Sequence, residues 1–266
     1  MPFTRDFFLN VTAAYHDFSS PRARKLTVVG DSIVGGQLNN LRSMLRNDLG
    51  GVEVCSVRKD DLKVEEGSLS PWVREVCTAD VALINTGAHY HSVEKFEERL
   101  RMALKTLKQA CPETLDAGRV FFRTTAEGNP LCKSPAHKAF RDMADWDANV
   151  MTVINGSKPP PEDALYQPGW HWDKFKYFNA VASRLAPLYN VTLLDVVPMT
   201  RLRPFSQTPS KNSKLDCLHG NPATSEWNTV FFNALAATAC QNDHPTTRTR
   251  SDQRIAKAAM VALTEQ

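Results

Sequence analysis

Five short apolar runs, separated by stretches with helical spacing, limit what this 266-residue chain can fold into. They are Leu26-Thr27-Val28-Val29, Val52 to Val57, Val81-Ala82-Leu83-Ile84, Val120 to Thr125 and Val191 to Val197. The first and third are apolar or β-branched throughout, as expected of strands covered on both faces. After the first run, Leu38, Leu41 and Leu45 recur at helical spacing. After the third, Val93, Phe96, Leu100, Ala103, Leu104 and Leu107 trace one face, while Glu94, Glu97, Glu98, Arg101 and Lys105 cover the other. Pro112 ends that helix. Phe175, Phe178, Val181 and Leu185 mark another before the fifth run, and a last helix from near Ser225 turns Trp227, Phe231 and Leu235 inward. Strand alternating with helix predicts one three-layer α/β/α domain with a mainly parallel five-stranded sheet.

The boundaries follow from the pattern. Residues 1–23 read as an irregular lead-in, 24–242 as the domain, and 243–266 as a polar, basic tail with a short helix. Residues 151–172, with Pro159-Pro160-Pro161, read as the loosest internal stretch. A hydrophobic share of 42% is ample for a core, and a net charge of +3 from scattered basic residues argues against nucleic acid as partner. No stretch approaches the ~20 apolar residues of a membrane span. Residues 1–10 lack the apolar centre of a signal peptide, so the sequence as read is that of a soluble, unsecreted chain.

The first strand runs into Gly30-Asp31-Ser32, where a helix begins. A serine there sits among unpaired backbone N–H groups at the positive end of a helix dipole, a suitable place for a nucleophile whose attack creates an oxyanion. Alone, Asp31 or Ser32 reads as an N-cap. Far downstream stands Asp216-Cys217-Leu218-His219. An Asp three residues before a His can hold the imidazole through one nitrogen and leave the other to take a serine proton. The two motifs together predict a catalytic triad of Ser32, His219 and Asp216.

Gly30-Asp31-Ser32, Asn85-Thr86-Gly87, Val120-Phe121-Phe122-Arg123-Thr124-Thr125 and Asp216-x-x-His219 followed by Trp227-Asn228 occur in that order. The set resembles the PC-esterase branch of the SGNH (GDSL-type) hydrolase superfamily, whose plant members are the trichome-birefringence-like polysaccharide O-acetyltransferases. The likeness covers about Arg24 to Leu235. It implies an SGNH-type, flavodoxin-like domain and a covalent acyl-serine mechanism without cofactor. The oxyanion hole would be the Ser32 N–H and the Asn85 amide, with Asp31, Gly87, Arg123, Trp170 and Trp172 shaping the substrate site. It implies a glycan acceptor, an acetyl donor that a membrane partner could supply, and a Golgi or secretory lumen, with an N-terminal anchor beyond the sequence read here. Transfer to a polysaccharide or glycoconjugate is the leading expectation; acetylesterase activity and an inactive glycan-binding module are the alternatives.

The chain departs from the family in places. It has Ala88-His89-Tyr90-His91 where plant members have His-Trp-Trp, and Gly220-Asn221-Pro222 after His219. The family places a second oxyanion donor, usually glycine, after strand two; here Arg58-Lys59-Asp60-Asp61 follows, and Gly67 is the nearest later glycine. His89 and His91 read as a polar cleft wall rather than metal ligands, so no metal is expected. Arg123 is either buried with a carboxylate or exposed in the cleft. The Trp170/Trp172 pair either stacks on a sugar or anchors its loop to the core. Six cysteines allow 15 pairings, and sequons at Asn10, Asn155 and Asn190 permit a lumenal protein.

Overall fold

The computed structural model describes residues 24–45, 52–64, 69–126, 142–156, 171–202 and 224–243. The strands are β1 (Arg24–Gly30), β2 (Val52–Arg58), β3 (Val81–Ile84), β4 (Val120–Arg123) and β5 (Thr192–Leu194). The helices are α1 (Val34–Leu45), α2 (Pro71–Cys77), α3 (Val93–Ala110), α4 (Pro112–Asp116), α5 (Met143–Gly156), α6 (Trp172–Leu185), α7 (Val197–Leu202) and α8 (Thr224–Asp243). All strand pairs are parallel, in the order β2-β1-β3-β4-β5. The sheet runs one way from β1 to β2 and the other way from β1 to β3, so its order reverses between β1 and β3. Open α/β sheets bind ligands at such a reversal, beyond the carboxyl ends of the strands.

Period-two alternation sends the strand side chains to two apolar layers. Leu26, Val28, Val81, Leu83, Phe121 and Leu194 face a cluster with Val34, Leu38 and Leu41 of α1 and Phe231, Phe232 and Leu235 of α8. Val29, Ala82, Ile84, Val120 and Phe122 face the opposite cluster, which holds Trp72 of α2, Phe96 and Leu104 of α3, Trp146 of α5 and Phe175 and Phe178 of α6. Burying a side chain of this size contributes about 1.5–3 kcal/mol relative to exposure, so the two layers hold the sheet between them. α3 has the amphipathic face expected, and its N-cap Ser92 accepts from the Lys95 N–H at 3.1 Å.

Three local expectations are corrected. The seven-residue α2 went unpredicted; Pro71 opens it and Trp72, Val73 and Val76 are its buried residues. Residues 151–156 are the end of α5, held by the fully buried Trp146, rather than loose chain; the triple proline lies outside the described residues. The fifth strand is three residues long, not seven. The Thr124 hydroxyl accepts the Val196 N–H at 3.0 Å and the Asp195 carboxylate accepts the Val197 N–H at 3.2 Å, so side chains take over from the ladder and α7 begins. Pro112 does stop α3, and it then opens α4. A disulfide joins Cys77 at the end of α2 to Cys111 at the end of α3. Among the described residues, no helix is long and apolar enough to cross a membrane.

Candidate active site

The carboxyl ends of β1, β3, β4 and β5 meet in a polar cluster that is almost wholly buried. Gly30 ends β1 against the neighbouring strand: a Cβ there would lie 2.8 Å from the Asn85 carbonyl and 2.7 Å from Val34 Cγ2. The chain can pass only because nothing projects. Asp31 follows, 3% exposed. One of its carboxylate oxygens accepts the Ile33 N–H at 3.0 Å and the other the Ala88 N–H at 3.3 Å. It therefore fixes the turn into α1 and ties it to the loop after β3. Burial pushes the Asp31 carboxyl above the usual range; Arg123, His89 and the two N–H groups oppose that shift.

Ser32 lies in this turn, half-buried, just ahead of the first helical residue, and its carbonyl accepts the Gly35 N–H at 3.2 Å. Asp31 takes the capping role that either residue could have filled, which leaves Ser32 at the helix entrance.

Asn85 ends β3 and is completely covered. Its Oδ1 accepts from Arg123 Nη2 at 2.6 Å, and its Nδ2 donates to the Arg123 carbonyl at 3.0 Å. A guanidinium nitrogen can only donate, so this contact fixes which end of the amide is oxygen. One Nδ2 hydrogen goes to the Arg123 carbonyl. The other has no hydrogen-bond partner among the described residues. A substrate oxygen could meet that N–H only by displacing what covers it.

Arg123 ends β4 with 0% exposure, so of the two expectations for it burial holds. Its guanidinium lies 4.4 Å from the Trp227 ring centroid, and Trp227 in turn donates its indole N–H to the Thr200 hydroxyl at 2.9 Å. Burial pulls the guanidinium down to about 10, with the Asp31 charge opposing, so it stays charged at neutral pH. Among the described residues, Arg123 Nε and Nη1 have no hydrogen-bond partner.

Gly87 has φ +150°, and a Cβ there would sit 2.2 Å from Thr125 Oγ1. The strand ends are stitched further by Thr125 Oγ1 donating to the Thr86 carbonyl at 2.7 Å. Asn179 of α6 takes both main-chain groups of Thr125, at 2.9 and 2.8 Å, and so replaces the next rung of a ladder. After β2, where a second oxyanion donor was sought, main-chain carbonyls are engaged. Thr86 Oγ1 donates to the Asp60 carbonyl at 2.7 Å and the Tyr90 hydroxyl donates to that of Asp61. Gly67 lies outside the described residues.

His89 lies 3.8 Å from Asp60 Oδ1. His91 pairs with His171, Nδ1 to Nε2 at 3.2 Å, which joins the loop after β3 to the start of α6. No group of three or more metal-ligating side chains occurs among the described residues. Trp172 is 3% exposed and belongs to the core around Phe175 and Phe178, which is the anchoring arrangement.

The structure thus gathers Asp31, Ser32, Asn85, Gly87 and Arg123 at one end of the sheet, with Trp172 in the core. Asp216, His219 and Trp170 lie outside the described residues. Sequence reasoning missed Asn179 and the coupling of Asn85 to Arg123. The only hint was a polar residue at the end of each apolar strand.

No family model and no curated protein matches the chain. Among solved structures it is similar to the periplasmic domain of a Salmonella ser. Paratyphi A lipopolysaccharide acetyltransferase. The TM-score is 0.44 at 12% identity, over 86% of this chain and 96% of that one. It is also similar to a Streptococcus pneumonia protein provisionally named a platelet activating factor. There the TM-score is 0.39 at 13% identity, over 91% of this chain and 92% of that one. At these values neither assigns a family or a reaction to this chain.

Proposed function

We propose that the chain is a serine-dependent O-acyl ester enzyme with Ser32 as nucleophile. One observation carries this reading: Ser32 stands at the entrance of α1, at the β1/β3 reversal, while Asn85 ends the neighbouring strand against Gly30 with one amide N–H unbonded among the described residues. Such a placement suits attack on a carbonyl carbon and capture of the resulting oxyanion.

In this reading His219 takes the Ser32 proton as Oγ bonds to the acyl carbon, and Asp216 orients the imidazole. The Ser32 N–H and the Asn85 amide hold the tetrahedral oxyanion. Collapse expels the alcohol, which takes the proton from His219, and an acyl-serine remains. A second hydroxyl reverses these steps and leaves with the acyl group. Trp227 supports this use of Asp216 and His219: it follows His219 after a short stretch of chain and is seated against Arg123.

The acyl group is acetyl and the acceptor a glycan hydroxyl, by the resemblance of the four ordered motifs. The Cys77–Cys111 disulfide supports a secretory lumen, since such bonds persist in oxidising compartments.

The test is intact-mass analysis after incubation with an activated acetyl ester. Wild type gains one acetyl group on Ser32 and turns over, whereas Ser32→Ala and His219→Ala lose nearly all turnover and stay folded. Release that depends on added sugar identifies a transferase, and release by water alone an esterase. A tenth of the activity surviving in Ser32→Ala would sink the covalent mechanism.

A further inference from the structure

The contact between Arg123 and Asn85 has a chemical consequence. An amide is conjugated, so a cation on its oxygen draws density from nitrogen and strengthens the N–H bonds as donors. Arg123 Nη2 sits on Asn85 Oδ1 at 2.6 Å, and the carbonyl of the same residue accepts one Nδ2 hydrogen at 3.0 Å. Side chain and main chain of Arg123 together hold the amide at both ends. That fixes the plane of the amide and leaves its second N–H without an acceptor among the described residues.

A purely structural arginine would be expected to satisfy all its donors, because a buried unpaired polar group costs about 1–3 kcal/mol. Here Nε and Nη1 are buried without partners among the described residues, and the ring of Trp227 stands over the guanidinium instead of an acceptor. Buried groups left unsatisfied in this way call for a functional account. What the guanidinium does touch is the Asn85 amide and the Trp227 ring.

We infer that Arg123 is a positioning residue that orients and polarises the Asn85 amide so that its second N–H stabilises a developing oxyanion. This rests on the acyl-transfer reading of the site. It gives the arginine a role that works through Asn85 alone. The Asp31 charge opposes the lowering of the guanidinium pKa by burial.

The experiment is a double-mutant cycle on a chromogenic acetyl ester together with an amide-proton measurement on the wild type. Asn85→Ala should lose about 10²–10³ in kcat, the usual cost of one oxyanion donor, with KM little changed. Arg123→Lys keeps a cation but loses the planar fork. It should lose part of that same factor in kcat, and add nothing when made in the Asn85→Ala background. Independent, multiplying losses would overturn the inference, as would full kcat in Arg123→Lys.

The second readout needs neither turnover nor a variant. In wild type, the Asn85 Nδ2 proton that meets the Arg123 carbonyl should give an NMR signal downfield of other asparagine side-chain protons, and both Nδ2 protons should be slow to exchange. Signals at ordinary asparagine positions would overturn the clamp even if Arg123→Lys failed to fold. An absence of acetyl-serine in the wild type would fell the acyl reading instead, while shifted Asn85 signals would still support the clamp.

Discussion

The two ends of the sheet are built differently. At the amino ends of the strands, one buried carboxylate, Asp80, accepts the Lys25 N–H at 2.7 Å, and the rest of the strength comes from a partly exposed ion pair and a covalent bond. Lys25 pairs with Glu75 at 2.6 Å with side chains 19% and 37% exposed, an arrangement contributing about 0–1 kcal/mol. The same end carries the Cys77–Cys111 bond. At the carboxyl ends, Asp31, Asn85, Thr86, Arg123, Thr124 and Thr125 are all buried, and they hold one another by hydrogen bonds between strands. Burying polar groups is costly unless each is matched, and among the described residues two guanidinium donors are not. The fold accepts that cost in the cluster at whose edge Ser32 opens α1.

The comparison breaks most visibly if the disulfide matters to chemistry. Closing a loop of 34 residues should contribute about 2–4 kcal/mol. Replacing Cys77 and Cys111 together with alanine should lower denaturant stability by that much and leave kcat/KM for the acetyl ester unchanged at low temperature. A fall in kcat/KM without loss of fold would mean that the two ends are coupled.

A smaller effect is expected at Asp31. Asp31→Asn removes a desolvated charge, which by itself favours folding. The amide, however, has one oxygen for two N–H donors, so either Ile33 or Ala88 loses its acceptor. Loss of a buried partner costs about 1–3 kcal/mol, and the net result should be destabilisation. A raised folded pKa means that the native state holds its proton longer than the unfolded chain. Wild-type stability from this group therefore falls as pH rises from the ordinary aspartate value through the raised one, and Asp31→Asn should flatten that slope. Urea midpoints measured against pH for both proteins would show it; an unchanged slope would mean that Asp31 is not desolvated.

The smallest effect concerns His171, half-buried beside His91. Burial, with the Lys174 charge and His91, lowers its pKa to about 4, while Asp173 acts the other way. A depressed folded value means that the unfolded chain takes up the proton first. Stability is therefore full above the ordinary value of about 6.5 and declines as pH falls towards 4. His171→Gln should remove that decline, as read from melting temperature against pH. An identical acid limb would show that the pair does not hold the loop after β3.

Much of this frame could be read in advance from apolar runs, because a strand buried on both faces has to be apolar throughout. Leu26 to Val29 and Val81 to Ile84 gave themselves away, as did α3 with its two-sided surface. Short elements did not: α2 has only seven residues, too few for a period to stand out, and α7 begins where Thr124 and Asp195 intercept the chain. The positions of Ser32 and Asn85 at strand ends were legible from the turn residues beside them. Their companions were not. Nothing local in the sequence says that Asn85 meets Arg123, that His91 meets His171, or that Asn179 closes the end of β4, since each pair is decided by sheet order and strand register.

Sheet order also has a consequence in time. The contacts that make the cluster join residues far apart along the chain: Asn85 to Arg123 spans 38 positions, Asp31 to Ala88 spans 57, and Thr124 to Leu194 spans 70. Parallel pairings of such separation form slowly, because loop entropy is spent before any contact rewards it. A chain emerging from the ribosome with β1 to β4 complete already carries Ser32, Asn85 and Arg123, yet β5 and the helix bearing Trp227 have still to arrive. The cluster is thus complete only once β5 and α8 have joined β1 to β4, and no shorter stretch of chain that lacks them contains it.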